Sequence, residues 1–267
     1  MSRIGGAIDA ARRDRRGAFI PYLTSGFPDL AESDRLALAL CDEGVDALEL
    51  GVPFSDPLAD GPTIQRTTRV ALAAGTTLAH VLGQALRIRA RWETPLILMS
   101  YLNPILRYGA RFALDAREAG VDGVIVVDLP PEEEPALWLK LQSSGLDTIA
   151  LVAPTTAPDR LQRIASRARG FLYVVARLGV TGAVPGDSGV EPLLARCREL
   201  SPLPRCLGFG IGPATDLSRY RGLAEGIVVG SSLLDALLEA PDAAAREARA
   251  RAFVKAIKPR LSALAPA

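Results

Sequence analysis

The sequence predicts a single α/β domain folded as a (β/α)8 TIM barrel that spans residues 1–267 and carries an extra N-terminal helix. Eight short apolar segments alternate with segments of helical periodicity. Strict alternation of this kind gives a parallel sheet, and 267 residues suit one barrel of about 250 residues. No linker divides the chain. An open doubly wound sheet is the alternative, but the first βα turn, residues 24–28, lacks a dinucleotide-binding fingerprint.

The strands are identified as apolar runs bounded by turn residues. The third and fourth, P-L-I-L-M-S and G-V-I-V-V-D, are nearly all apolar, as expected of strands that are buried on both faces. The predicted strands cover residues 18–23, 47–50, 95–100, 123–128, 147–152, 171–175, 205–209 and 226–229.

The helices are predicted from apolar residues that recur with helical spacing. Leu36 and Leu40 are four residues apart, and Ile4 and Ile8 repeat this spacing in the N-terminal helix. Pro62 stands early in a first turn, where proline is tolerated. The predicted helices cover residues 1–16, 29–43, 62–75, 77–91, 111–119, 130–145, 160–168, 191–200 and 242–264.

Bulk composition indicates a chain that acts in the cytoplasm on small molecules. The formal net charge of +1 gives no field that favours nucleic acid or a membrane surface. The three cysteines lack metal-ligand spacing, which fits a reduced interior. Residues 1–17 are rich in arginine and lack the apolar region of a signal peptide, and no run of 18 apolar residues predicts a membrane span.

Two scarcities narrow the chemistry. His80 is the single histidine, so neither a histidine-rich metal site nor a Ser-His-Asp triad is expected. Lys140, Lys255 and Lys258 are the only lysines and fall in helical or C-terminal segments, which argues against Schiff-base or pyridoxal-phosphate chemistry. We therefore predict no metal and no cofactor, and carboxylates and tyrosines remain for proton transfer.

Residues 48–65 read L-E-L-G-V-P-F-S-D-P-L-A-D-G-P-T-I-Q and are the most informative stretch. Glu49 is a carboxylate among aliphatic residues near the C-terminal end of a strand, and Leu48 and Leu50 face the opposite side from it. Taken alone, Glu49 reads as a solvent-facing or satisfied core residue. The second acid, Asp60, follows a loop stiffened by proline. Such a loop can bring the two carboxylates to opposite sides of one pocket.

The other candidate residues also fall at the C-terminal ends of strands, where barrel active sites lie. The turns after the seventh and eighth strands, G-F-G-I-G and G-S-S, are rich in glycine and match the usual phosphate-binding position of a barrel. Glycine in such turns is also common for conformational reasons alone. The residues in question are Glu49, Asp60, Tyr101, Asp128, Tyr173, Thr181, Phe209 and Ser231.

The stretch E-L-G-V-P-F-S-D-P-L-A-D-G-P-x-I-Q resembles the signature of the tryptophan synthase alpha subunit family. Other motifs that resemble the family follow in the expected order: P-Y-L-T-S-G-F-P-D, L-M-S-Y-L-N-P-I, D-L-P-P-E-E, A-P-T-T, R-x-G-V-T-G, G-F-G-I and V-V-G-S. The resemblance covers nearly the whole chain. It implies a TIM barrel that cleaves indole-3-glycerol phosphate into indole and glyceraldehyde 3-phosphate, with Glu49 and Asp60 as the catalytic pair.

The resemblance also implies roles for the remaining site residues. Thr181 would orient Asp60, and Tyr173 would lie near Glu49. Residues 183–190 depart from the family pattern, which leaves loop closure open. The residues expected to bind the phosphate are Gly182, Phe209, Gly210, Gly230 and Ser231. Those expected to form the apolar slot for the indole ring are Leu98, Leu129 and Phe209. Further substrate contacts are expected from Tyr22 and Tyr101.

The family implies a partner, the beta subunit, in an alpha2beta2 heterotetramer. Pro53, Phe54 and Asp56 are the predicted contacts, although Asp56 also reads as a turn-capping residue. The alternatives are a lyase that acts without a beta subunit, a different barrel enzyme acting on sugar phosphates, and an inactive partner that only activates a pyridoxal enzyme.

Overall fold

The computed structural model describes residues 2–176 and 189–266, and its strands form one parallel ring. The order is β5-β4-β3-β2-β1-β9-β8-β7-β6, and every described pairing is parallel. The strands are β1 Ala18–Thr24, β2 Leu48–Gly51, β3 Leu96–Ser100, β4 Gly123–Val126, β5 Asp147–Thr148, β6 Ala150–Val152, β7 Leu172–Val175, β8 Arg205–Gly208 and β9 Gly226–Val229. The predicted (β/α)8 TIM barrel is confirmed.

The predicted fifth strand is present as two pieces, and these complete the ring. β5 pairs with β4, whereas β6 pairs with β7. Ile149 lies between the two pieces and donates its N–H to the carbonyl of Val124 at 3.0 Å. β5 and β6 therefore occupy one strand position, between β4 and β7. The nine strands in the described part of the chain thus fill the eight positions of the barrel.

Helices surround the ring, and their first residues explain where they begin. Asp29 and Asp242 accept N–H groups of the first turns of α2 and α11, each at 2.8 Å. Prolines open α3, α7 and α8. The helices are α1 Arg3–Arg13, α2 Leu30–Asp42, α3 Pro62–Ala73, α4 Leu78–Arg89, α5 Leu102–Tyr108, α6 Phe112–Glu118, α7 Pro135–Ser143, α8 Pro158–Arg167, α9 Val190–Leu200, α10 Ser231–Leu238 and α11 Ala243–Ile257, with 3-10 turns at Leu217–Tyr220 and Lys258–Leu264.

Three helix predictions differ from the structure. α5 is absent from the predicted helices; Asp128, at the end of the neighbouring strand, accepts the N–H of Leu102 at 2.7 Å and so caps it. α10 likewise follows directly from what was interpreted as a glycine-serine turn. α7 begins at Pro135 rather than at residue 130, because residues 131–133 form a turn ahead of it.

Three carboxylates hold the N-terminal ends of the strands together. Asp46, Asp122 and Glu225 each stand just before a strand, and they accept the backbone N–H groups of Phe19, Leu96 and Arg205 respectively, at 2.8 to 3.0 Å. Each carboxylate also contacts an arginine: Arg16, Arg89 and Arg205. Pairing with a cation and with a backbone donor satisfies a carboxylate that has left water. This end of the barrel therefore contributes to stability.

No helix in the described ranges is long and apolar enough to cross a membrane.

Candidate active site

Glu49 lies on β2 and is fully enclosed by the barrel. Its side chain has no exposed surface, and neither of its oxygens has a hydrogen-bond partner among the described residues. Its charge raises the pKa of Tyr173 on β7, which lies four strands away from β2 in the ring. The carboxylate therefore points into the barrel. Burial, followed by the nearby charge of Asp60, raises the pKa of Glu49 to about 8. A carboxyl group with that pKa can both donate and accept a proton near neutral pH.

Asp60 reaches the same interior from the loop between β2 and α3. Gln65 donates to its backbone carbonyl at 2.8 Å, and its own N–H donates to the carbonyl of Pro57 at 3.1 Å, so the loop end is fixed. The side chain is 8% exposed. Burial raises the pKa of Asp60 to about 6, although a hydrogen bond with Tyr101 opposes the rise. The two carboxylates therefore have different pKa values within one site.

Tyr101 ties this loop to the end of β3. Its hydroxyl accepts the N–H of Ala59 at 3.0 Å, and its ring lies 5.1 Å from that of Phe54, measured between centroids. Burial and the charge of Asp60 raise the pKa of Tyr101 above its usual range. Tyr101 is therefore protonated and able to donate to Asp60 while its oxygen holds the loop backbone.

Two further tyrosines occupy the barrel interior beside Glu49. Tyr22 pairs with Glu49 in the register of β1 and β2, and its hydroxyl lies against Gly51, where a Cβ would overlap it. Tyr173 lies against Gly208 in the same way. Burial raises the pKa of both phenols, so both remain protonated. The structure thus places Tyr22 and Tyr173 beside the carboxylate pair.

The register of β3 corrects one predicted contact. Leu98 pairs with Leu50, whereas Glu49 pairs with Ile97 and Gly51 pairs with Met99. Because side chains alternate along a strand, Leu98 faces away from Glu49, and Met99 takes its place on the inner face. The proposed indole contact of Leu98 is therefore wrong, and Met99 is a lining residue that the sequence reasoning missed.

The other two residues of the predicted apolar slot lie beyond strand ends. Leu129 follows β4 and is buried. Phe209 follows β8 and contacts Tyr173 edge to face, with 5.6 Å between ring centroids. The φ of Phe209 is 60°, an uncommon backbone state for a bulky residue and one that clusters at ligand sites. The apolar wall nearest the carboxylates therefore includes Phe209.

The two glycine-rich turns lie at this end of the barrel as well. Gly230 precedes Ser231 at the start of α10, and no side chain caps that helix. The N–H groups of a first turn lack intrahelical acceptors and attract anions. A Cβ at Gly230 would lie 3.3 Å from Tyr22, which places this turn beside the site. Gly210, with φ of 89°, continues the turn after β8. Neither turn contains lysine or arginine, so backbone amides and Ser231 are the available donors.

The predicted partner contacts are only partly accessible. Asp56 is exposed and accepts from the hydroxyl of Ser55, whereas Phe54 is half-buried. Pro53, the third predicted contact, is buried within this chain. Leu58, in the same loop, is 95% exposed.

Thr181 and Gly182 lie outside the described residues. Within residues 2–176 and 189–266, no three histidine, cysteine, aspartate or glutamate side chains gather as potential metal ligands.

A parallel barrel that encloses ionisable side chains at the C-terminal ends of its strands is the architecture of a TIM-barrel enzyme. A family model described as tryptophan synthase alpha chain matches residues 8–261. The chain is 44% identical over 260 residues to the tryptophan synthase alpha chain of Geobacter sulfurreducens, which covers 97% of this chain and 98% of that protein. It is 45% identical over 251 residues to that of Burkholderia mallei, covering 92% and 93%. This chain therefore belongs to the tryptophan synthase alpha chain family and is a lyase of tryptophan synthesis.

Solved structures agree with this assignment. Tryptophan synthase from M. tuberculosis in an aminoacrylate-bound form superposes with a TM-score of 0.84 at 34% identity, covering 96% of this chain and 100% of that chain. The alpha subunit from Legionella pneumophila superposes with a TM-score of 0.84 at 37% identity, covering 97% and 99%. The fold and the family therefore agree over nearly the whole chain.

The raised pKa of Glu49 predicts a pH-dependent cost in stability. An acid whose pKa is higher in the folded state loses stabilising free energy as pH rises from its unfolded pKa of about 4.3 to its folded pKa. Glu49→Gln removes this titration. Between pH 5 and pH 9 the free energy of unfolding of the wild type should therefore fall by a few kcal/mol relative to that of the variant. Urea denaturation at each pH measures both values.

Glu118→Gln serves as the control, because it removes a carboxylate from an exposed helix position. A difference between Glu49→Gln and wild type that stays constant with pH would show that Glu49 is not held neutral by burial.

Proposed function

We propose that this chain cleaves indole-3-glycerol phosphate to indole and D-glyceraldehyde 3-phosphate by a retro-aldol reaction. One observation carries the proposal beyond family membership: Glu49 and Asp60 share one interior with pKa values raised to about 8 and about 6. Carboxylates whose environments push their pKa values apart divide acid and base roles between them. Near neutral pH this gives a protonated Glu49 beside an ionised Asp60.

In the proposed reaction Glu49 carries the proton in both directions. The neutral carboxyl donates its proton to C3 of the indole ring, which leaves a positively charged indolenine. The resulting carboxylate then takes the proton of the hydroxyl on the adjacent glycerol carbon. The C–C bond breaks, its electrons return to the ring, and indole and the aldehyde form. Glu49 ends protonated, so no external proton is consumed.

Asp60 stabilises charge in this scheme. Its carboxylate accepts the indole N–H and so lowers the energy of the positive ring. Tyr101 keeps Asp60 ionised, because a hydrogen bond to the charged form favours it. Met99, Leu129 and Phe209 supply the apolar surroundings in which such a charge pair is strong.

The phosphate is proposed to bind between the turns that follow β8 and β9. The proposed donors there are the backbone N–H groups of Phe209, Gly210, Gly230 and Ser231. Gly182, which is not among the described residues, is proposed as a further donor. The absence of lysine and arginine from both turns supports binding by amides and by the start of α10. Tyr22 packs against Gly230 and links the phosphate turn to the carboxylate pair.

A beta subunit is proposed as the partner, in an alpha2beta2 heterotetramer. The curated relatives are named as alpha chains, which favours this over a lyase acting alone. Exposed Asp56 and Leu58 and half-buried Phe54 form the proposed contact loop. Phe54 lies against Tyr101, and Tyr101 holds Ala59 beside Asp60. A partner that presses on this loop would therefore act on a catalytic carboxylate.

Glu49→Gln is expected to lower indole release from indole-3-glycerol phosphate by about 1,000-fold or more, since loss of general acid–base catalysis costs about 10²–10⁴-fold per proton transfer. Asp60→Asn should be severe but smaller in effect. The measurement is steady-state indole formation by the purified chain, with folding checked by circular dichroism.

The pH profile of the wild type distinguishes the two roles. kcat/KM should rise as pH increases through about 6, where Asp60 ionises, and fall above about 8, where Glu49 loses its proton. Activity of Glu49→Gln within a few-fold of wild type would overturn the mechanism, and so would a profile without the upper limb.

Gly230→Asp should raise KM for indole-3-glycerol phosphate by placing an anion beside the phosphate. Gly230→Ala is the matched control, because it introduces the same Cβ, 3.3 Å from Tyr22, without the charge. The aspartate variant should raise KM at least tenfold more than the alanine variant, on the scale of a like-charge contact. Equal KM values for the two folded variants would move the phosphate site elsewhere.

Asp56→Ala should reduce activation of indole release by the cognate beta chain while leaving the activity of the isolated chain near that of wild type. A lost interfacial charge pair should weaken binding by about tenfold or more. Titration of activity against beta-chain concentration gives the affinity. Glu199→Ala removes an exposed acid at the end of α9 and is the control. No activation of the wild type, or identical titrations for both variants, contradicts the role of this loop.

A further inference from the structure

A second cleft lies at the N-terminal ends of the strands, on the opposite side of the barrel from Glu49. It has a volume of about 670 Å³ and opens between α1, the start of β5 and the segments that lead into β8 and β9. Pockets for small molecules commonly measure about 300–1,000 Å³. Neither the proposed reaction nor the proposed beta-chain contact uses this cleft.

The cleft carries arginines that the fold does not pair. Arg12 of α1, Arg169 before β7 and Arg198 of α9 line it, and all three are exposed. Among the residues that the structure describes, no carboxylate lies within ion-pair distance of these three; Arg198 donates only to the carbonyl of Gly222, at 3.3 Å. Arg205, also at the wall, is occupied by Glu225. Three guanidinium groups are therefore available to an anionic ligand group.

Asp147 differs from the other carboxylates at this end of the barrel. It is 7% exposed, and its Oδ2 has no hydrogen-bond partner in the described part of the chain. It stands at the start of β5 and lines the cleft opposite Gly170, where a Cβ would lie 3.2 Å from Oδ2. Burial raises the pKa of Asp147, although the Ser2 hydroxyl and the charge of Arg169 oppose the rise. Oδ2 is itself covered, so a ligand donor would satisfy it after a rotation of the Asp147 side chain toward the cleft.

The rest of the cleft wall includes apolar residues and further carboxylates beside the hydroxyl groups of Ser2 and Ser201. Pro202, Leu203, Pro204 and Pro266 form an aliphatic surface. Asp9 of α1 adds a second carboxylate to the lining. The cleft thus combines a site for an anion, buried and nearby acceptors for a cation, and a surface for an apolar side chain.

We propose that this cleft binds a free α-amino acid with an apolar side chain. The arginines hold the carboxylate, Asp147 accepts from the ammonium group, and the proline-rich wall contacts the side chain. A zwitterion matches the cleft better than a simple anion, because a simple anion would leave Asp147 Oδ2 without a partner. The site is distinct from the indole pocket, so a bound amino acid does not compete with the substrate.

Isothermal titration of the full chain with L-leucine tests the proposal. 4-Methylpentanoate lacks the ammonium group and 3-methylbutylamine lacks the carboxylate, and each should bind at least about tenfold more weakly, on the scale of one lost charged contact. Absence of L-leucine binding at millimolar concentration overturns the proposal. Equal binding of 4-methylpentanoate and L-leucine also overturns it, since the cleft would then be an anion site only.

Substitutions locate the site on the chain. Arg12→Gln should weaken L-leucine binding about tenfold, and Arg13→Gln is the matched control because Arg13 is the next residue of α1 and does not line the cleft. Asp147→Asn should weaken L-leucine but not 4-methylpentanoate, with thermal unfolding used to confirm its fold. Identical L-leucine affinities for Arg12→Gln and Arg13→Gln would place the amino acid elsewhere and end the proposal.

Discussion

The structure depends on keeping one carboxylate out of water without a cation. Asp46, Asp122 and Glu225 are each neutralised by an arginine and a backbone N–H at the N-terminal ends of the strands. Glu49 has neither partner at the opposite end. A buried acid without a partner responds by holding its proton. The barrel therefore holds three paired acids at one end, whereas Glu49, with neither oxygen partnered among the described residues, lies where the chemistry is proposed.

The closed ring makes that arrangement possible. A strand buried on both faces places alternate side chains either against the helices or in the interior. Glu49 takes an interior position whose partners in register are Tyr22 on β1 and Ile97 on β3. Loss of stability at this one position is tolerated because a large apolar core surrounds it. The tyrosines beside it remain protonated, so they contribute hydroxyl groups without adding further charge.

Local sequence patterns were sufficient for the barrel and for the carboxylate pair, but not for properties that depend on two segments at once. Alternation of apolar runs and helices gave the strand positions, and the acids in residues 48–65 gave Glu49 and Asp60. Leu98 was misassigned because the register between β2 and β3 is set by packing across the ring. α5 was missed because Asp128, which caps it, is 26 residues away in sequence. The burial of Pro53 likewise depends on the folded loop and could not be predicted from its sequence neighbours.

The interior tyrosines have a consequence for how this pocket can change. Tyr22 fills space left by Gly51, and Tyr173 fills space left by Gly208. Each of these two parts of the pocket wall thus consists of a glycine and a tyrosine, and the tyrosine fits only because the glycine has no side chain. Enlarging a glycine displaces its tyrosine, and shrinking a tyrosine leaves a void beside its glycine. Variation in pocket shape is therefore best tolerated when both members of a pair change together, since a single substitution either displaces a tyrosine or leaves a void.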